Sequence, residues 1–154
     1  GIRFDTGPHP GLYSERLMRD WLFPVCSPEF AKKYALCDAS GIDGVPLMHS
    51  EREPWSSWFP AAGIVADEPE HGILFNDSAL MLQAAAAGQG RCLARQSIVY
   101  DELQSGRLVR PFSTYVESPF SYFFVCRREK LAAPPIAAFR TWIVRQIKNI
   151  PLLD

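Results

Sequence analysis

Three histidines, His9, His49 and His71, and four cysteines, Cys26, Cys37, Cys92 and Cys126, are the side chains best suited to hold a metal or attack a substrate. Their spacing serves neither purpose. The histidines stand far apart, without a His-x-x-x-His step or a second ligand type at metal spacing, so no metal site is read here. No two cysteines are separated as Cys-x-x-Cys. Cys26, Cys92 and Cys126 lie in the apolar runs Pro24-Val25-Cys26, Cys92-Leu93-Ala94 and Phe124-Val125-Cys126. Such thiols read as buried, reduced, small hydrophobes, which favours a cytoplasmic compartment. Cys26 could in principle pair with His49, but an apolar strand disfavours its thiolate. There is no Gly-x-Ser-x-Gly elbow and no acid–base pair at a useful spacing. The expectation is a protein that is not an enzyme and carries no cofactor.

Two patterns suggest binding instead. Gly88-Gln89-Gly90 looks like a phosphate loop, but the order is reversed. A dinucleotide loop runs strand, glycines, helix; here a helix precedes the glycines and a strand follows, so they read as a helix stop. The other end of that helix is more informative. Strand 73–75 feeds straight into Asn76-Asp77-Ser78, placing short polar side chains and backbone N–H groups at a strand's carboxyl end. In open α/β sheets ligands bind at that edge, and helix N-termini favour anions; plain N-capping is the simpler alternative. Arg3 and Asp5 flank the end of the first strand, where an arginine can clamp a carboxylate or simply be solvated. Trp55, Trp58 and Phe59 on one short segment read as packing rather than as a ligand-stacking face.

These residues must be held by a framework, and the chain alternates between strand and helix patterns. Residues 1–4 read as a strand end, 5–14 as loop, and 17–26 as a buried strand interrupted by Arg19-Asp20. Ser27-Pro28-Glu29 opens a helix to about Tyr34. Ser40 to Asp43 resembles a capping box, 46–49 a strand, and 55–62 a helix closed by Gly63. After strand 73–75 comes a helix capped by Asn76 or Asp77; between 79 and 87 its only polar residue is Gln83, so it is expected to be buried all round. Then follow strand 92–94, helix 97–104, strands 108–112 and 120–126, and a last helix from Pro134-Pro135. In that helix Ile136, Phe139, Ile143 and Ile147 share one face, with Trp142 beside it. The alternation argues α/β with mostly parallel pairing.

Composition limits the partners. The 154 residues carry 16 basic and 17 acidic side chains, and the basic ones are scattered. A nucleic-acid surface needs them gathered. No apolar run approaches the length of a membrane span. The chain opens directly on strand-like sequence, as the middle of a protein would.

In order, Gly1-Ile2-Arg3-Phe4, Leu22 through Pro28, Trp55-Ser56-Ser57-Trp58 with Ala62-Gly63, Phe75 through Gly90, Gly106 through Phe112, Tyr122 through Cys126 and Ala138 through Ile143 resemble the effector-binding domain of LysR-type transcriptional regulators. They are most similar to the subgroup typified by the activator of the glycine cleavage operon. Arg91 and Arg95 depart from it, because small apolar residues usually follow the Gly-x-Gly there.

The resemblance implies a two-lobed α/β fold like periplasmic solute-binding proteins of type II. Lobe one would hold residues 1–23 and 121–154, and lobe two residues 24–120. Crossover strands would lie near 23–27 and 122–127, bringing Cys26 and Cys126 onto neighbouring strands. The first lobe is expected to be incomplete at its N-terminus, leaving apolar faces bare. The DNA-binding winged helix-turn-helix would lie outside this chain. A small-molecule effector would sit between the lobes, held by Arg3, Asp5 and Thr6 from lobe one and His49, Ser50, Asn76, Asp77 and Ser78 from lobe two. The mix of arginine and carboxylates suits an anionic or amino-acid-like ligand. The resemblance also implies a homodimer or homotetramer. A solute-binding protein of a transport system, or a fragment of a two-lobed enzyme, would share the fold.

Overall fold

The computed structural model describes residues 1–36 and 44–148, so the Ser40–Asp43 capping box lies outside the described residues. In chain order the strands are β1 (Ile2–Asp5), β2 (Tyr13–Met18), β3 (Trp21–Val25), β4 (Met48–Ser50), β5 (Ile73–Phe75), β6 (Cys92–Arg95), β7 (Val116–Glu117) and β8 (Ser121–Cys126). The helices are α1 (Pro28–Lys33), α2 (Ser78–Ala86), α3 (Gln96–Gln104) and α4 (Pro134–Ile147). The chain divides into two units, residues 1–20 with 117–154 and residues 21–116.

The first unit is built from both chain ends. β8 runs between β1 and β2, antiparallel to each, with Arg3 opposite Phe123 and Glu15 opposite Phe124. α4 starts on Pro134 and Pro135, whose missing N–H groups cost nothing in a first turn. Phe139 reaches Phe124 at 6.3 Å between centroids, and Arg140 grips Glu15 through two bonds of 2.5 and 2.9 Å. The apolar stripe read in this helix is present, yet no α4 residue is fully buried and Trp142 is 53% exposed.

The second unit holds the larger core. β3 pairs antiparallel with β6, Leu22 opposite Arg95 and Val25 opposite Cys92, with β7 on its other side. Both strands are almost wholly buried. Leu22, Leu47, Trp55, Trp58, Phe59, Leu93 and Phe112 pack as one cluster. Each indole of that cluster has its N–H satisfied: Trp55 donates to the Met48 carbonyl and Trp58 to that of Thr114, both at 3.0 Å. The packing role read for the aromatic trio therefore describes what Trp55, Trp58 and Phe59 do. β4 and β5 pair in parallel, Ser50 opposite Phe75.

Several local expectations are corrected. Pairing is antiparallel for β1–β8, β2–β8 and β3–β6, and parallel for β4–β5. Residues 17–26 are not one strand: β2 ends at Met18, and β3 begins anew at Trp21. The segment 55–62 forms two 3₁₀ turns, Trp55–Ser57 and Phe59–Ala62, because Pro60 has no N–H to continue a helix. Residues 108–112 form only a bridge from Val109 to Cys26, cut short by Pro111. α2 is not buried all round: Met81, Leu82 and Ala85 face inward, while Leu80 is 54% exposed.

Candidate functional site

The parallel pairing of β4 with β5 makes the site in the second unit. Both strands end at the same edge, so Ser50 arrives beside Phe75 and the residues that follow it. The chain then turns at Asn76 and Asp77 into α2. Asp77 adopts extended backbone angles, φ −130° and ψ 117°, and its Oδ1 accepts from the backbone N–H groups of Ala79 at 2.8 Å and Leu80 at 3.0 Å. The helix start is thus capped by its own carboxylate. The sequence reading left those N–H groups open to a ligand anion; Asp77 occupies two of them, because an N-cap oxygen sits where an anion would.

Beneath this edge lies a buried polar network. Glu53 is 1% exposed. Its carboxylate accepts from the Ser50 hydroxyl at 2.5 Å and from the Ser78 hydroxyl at 3.3 and 3.4 Å. Arg95 Nε pairs with it at 2.7 Å, and an Arg95 Nη donates to Ser78 Oγ at 3.3 Å. A carboxylate this deep requires a cation and further hydrogen bonds, and here it has both. Arg52, Asn76, Asp77, Ser78, Leu82 and Arg95 are among the residues lining a cavity of about 370 Å³ above the network.

His49 stands one residue before Ser50. Its Nε2 donates to the His71 carbonyl at 2.9 Å, and its Nδ1 lies 3.6 Å from Glu68 Oε1. Glu68 also accepts from the N–H groups of Trp55 and Ser56, at 3.0 and 2.7 Å. Gly72 passes so close that an added Cβ would lie 2.3 Å from His49 Nε2, at a φ of +142°. His49, Ser50, Glu68 and Gly72 line a second cavity of about 290 Å³.

The structure therefore gathers Ser50, Asn76, Asp77 and Ser78 at one strand edge, with His49 beside them. Arg3, Asp5 and Thr6 belong to the first unit. Arg3 is exposed on β1, and Thr6, just beyond the strand, is exposed. Asp5 is partly used by its own loop, accepting from the Gly7 N–H at 3.2 Å and pairing with His9 Nε2 at 3.3 Å.

Sequence reasoning missed Glu53 and Arg95. Arg95 carried a signal: an arginine ending the apolar run Cys92-Leu93-Ala94 is placed for burial, where an acid stabilises it. Glu53 carried none, since Glu51-Arg52-Glu53 reads as a solvated charge run.

Thiol chemistry finds no support in this unit. Burial pushes the Cys26 thiol up to about 11, with the nearby Arg91 charge opposing it, and burial pushes Cys92 up as well. Cys26, Cys92 and Cys126 are free of disulfides. Among the described residues no three His, Cys, Asp or Glu side chains cluster as metal ligands, and no helix is long and apolar enough to cross a membrane.

A family model described as the LysR substrate binding domain matches residues 1–148. The chain is 34% identical over 145 residues to the glycine cleavage system transcriptional activator of Escherichia coli K12, covering 93% of this chain and 48% of that protein. It is 32% identical over 150 residues to the HTH-type transcriptional activator AmpR of Enterobacter cloacae, covering 96% of this chain and 50% of that one. The chain thus spans about half the length of these curated relatives. The effector domain of AmpR from Pseudomonas aeruginosa superposes with a TM-score of 0.81 at 31% identity, over 96% of this chain and 71% of that one. The AmpR effector-binding domain of Citrobacter freundii gives 0.80 at 27%, over 96% and 73%.

Proposed function

Because this chain belongs to the LysR substrate binding domain family, we propose that it is the ligand-sensing part of a LysR-family transcription regulator, binding a small metabolite and so modulating transcription. The observation that carries this is the polar network Ser50–Glu53–Arg95–Ser78, built under a cavity where β4 and β5 end. A buried ion pair at the carboxyl edge of parallel strands is a costly arrangement for a surface with nothing to bind.

In this reading the lobes are residues 1–23 with 121–154 and residues 24–120, close to the two units. The effector is held by Arg3, Asp5 and Thr6 from one lobe and by His49, Ser50, Asn76, Asp77 and Ser78 from the other. It acts only by binding one lobe arrangement better than another. DNA is contacted through a helix-turn-helix outside these residues, the working unit is a homodimer or homotetramer, and the compartment is the cytoplasm. No catalytic step is assigned to the chain. A transport solute-binding protein would share the architecture, but the relatives named above are transcriptional activators, which favours regulation.

Calorimetric screening of small carboxylates and amino acids against the chain tests the reading. A saturable ligand is expected, together with a loss of affinity of tenfold or more in Arg3→Ala for a carboxylate. Unchanged affinity in that variant removes Arg3 from the site. A broad metabolite screen without any ligand rejects the sensor.

A further inference from the structure

The cavity at the start of α2 offers a ligand acceptors where a helix N-terminus ordinarily offers donors. Asp77 Oδ1 consumes the N–H groups of Ala79 and Leu80. Ser78 has one hydroxyl proton, and its neighbours decide where that proton goes. A carboxylate can only accept and a guanidinium can only donate. Ser78 Oγ lies within 3.3 and 3.4 Å of the Glu53 oxygens and 3.3 Å from an Arg95 Nη. The proton therefore points down to Glu53, Arg95 takes one lone pair, and the remaining lone pair is what Ser78 has left for the cavity it lines. Ser50 repeats the pattern next door: its hydroxyl donates to Glu53 at 2.5 Å and accepts from the Arg52 N–H at 3.3 Å.

We infer that Glu53 is a specificity-determining positioning residue: by drawing the Ser50 and Ser78 hydroxyl protons inward, it makes this half of the effector site select a ligand that brings its own hydrogen-bond donor, an ammonium or other N–H group. The inference rests on the effector-site reading above and deepens it. Glu53 never touches the ligand. Its own charge is balanced by Arg95 at 2.7 Å, so the acceptors presented to the ligand are Ser78 Oγ and the Asp77 carboxylate. Arg52 lines the same cavity and supplies a cation, while Ala79, Leu82 and Ile98 supply an apolar wall. The ligand class that fits is a small zwitterion with its amino end toward Ser78 and Asp77, Arg52 being the cation that this half of the site adds to Arg3 for its carboxylate. This inverts the polarity that a bare helix N-terminus would impose.

Three probes on one carbon skeleton test it by calorimetry on the whole chain: L-alanine, propionate, which lacks the amino group, and N-acetyl-L-alanine, whose ammonium is capped. Alanine is expected to bind at least tenfold more tightly than either of the others. Ser78→Ala, which leaves the Glu53–Arg95 pair and the Asp77 carboxylate intact, should lower the alanine-to-propionate ratio at least threefold. Glu53→Gln places an amide donor among the serines and can turn a hydroxyl outward, so the alanine-to-propionate ratio should fall at least threefold; Glu53→Asp should restore part of it. A ratio of affinities is the chosen readout because a general loss of stability weakens both probes alike. Equal binding of alanine and propionate to the unmodified chain overturns the inference, as does a ratio unmoved in both Ser78→Ala and Glu53→Gln, or no binding by any probe. A donor-free metabolite that binds tightly and is lost in Ser78→Ala would sink the inference while keeping the sensor. A fruitless broad screen would sink the sensor itself.

Discussion

Arg91 lies in unusual surroundings for a cation. It is fully buried, and among the described residues its Nε and both Nη atoms have no hydrogen-bond partner. Its guanidinium instead faces the rings of Trp55 and Phe112, at 5.4 and 5.3 Å from their centroids. Burial lowers its pKa to about 10. Cation–π attraction at a desolvated site is worth about 2 kcal/mol, whereas removing a charge from water costs several. Desolvation wins, so Arg91→Met, similar in volume and free of charge, is expected to leave stability unchanged or raise it by ~1 kcal/mol in urea denaturation. A loss above ~2 kcal/mol would show that the aromatic faces more than offset burial. Arg95 is the opposite case: also buried and charged, but held by Glu53 and Ser78 in a network tied to the site. In sequence the two arginines look alike, since both interrupt a stretch where small apolar residues are expected. Which one has a partner depends on a glutamate some forty positions earlier, and no local pattern announces it.

At the scale of elements, α2 links the sequence to the site. Its start was legible because a strand pattern stops at Phe75 and Asn76-Asp77-Ser78 are strong capping residues; Asp77 is the cap. What that cap does to ligand polarity was not legible, because a free N-terminus and a self-capped one share the same sequence. Asp77→Ala should cost about 1 kcal/mol of stability and speed hydrogen exchange at the Ala79 and Leu80 amides. Unchanged exchange at both amides would mean that Asp77 Oδ1 is not their acceptor. The fully buried helix expected from its apolar run failed for a simple reason. Alanines count as apolar in a pattern but lose little when exposed, so the chain spends only Met81, Leu82 and Ala85 on the core. The misread helix at 55–62 has a similar lesson: aromatic spacing fixed the packing partners, while Pro60 fixed the backbone as two tight turns.

At the scale of the molecule, the first unit depends on contacts between residues at opposite ends of the chain. Arg140 on α4 holds Glu15 on β2, 125 positions away. Hydrogen bonding to Arg140, above all, keeps the Glu15 carboxyl below its ordinary 4.5, with Tyr13 helping and burial opposing. A depressed carboxylate contributes stability above its unfolded pKa and loses it as pH falls through the folded one. Glu15→Gln should therefore lower Tm near neutral pH, and the gap to the unmodified chain should close as pH falls below the ordinary carboxylate value and on through the lowered folded-state one. A gap that persists at acid pH would assign the effect to shape rather than charge. Solvent screens this half-exposed pair, so the shift should be small and should shrink further in salt. The same unit leaves Trp142 and Phe139 of α4 substantially exposed. The sequence marked that stripe correctly as apolar, but a stripe does not state what covers it.

By itself the sequence determined the class of the protein: α/β, with ordered segments of the LysR effector domain along nearly its whole length, caps at both ends of α2, and thiols set in apolar strands. Those properties are carried by neighbours in the chain, through periodicity, capping chemistry and hydrophobicity, and so they survive without coordinates. Tertiary structure alone decided the direction of strand pairing, the meeting of Ser50 with Ser78 over Glu53, and the difference between an Arg95 paired with a carboxylate and an Arg91 set against aromatic rings. Each is a contact between distant residues, and burial selects among charged side chains only once the fold has chosen which of them can meet.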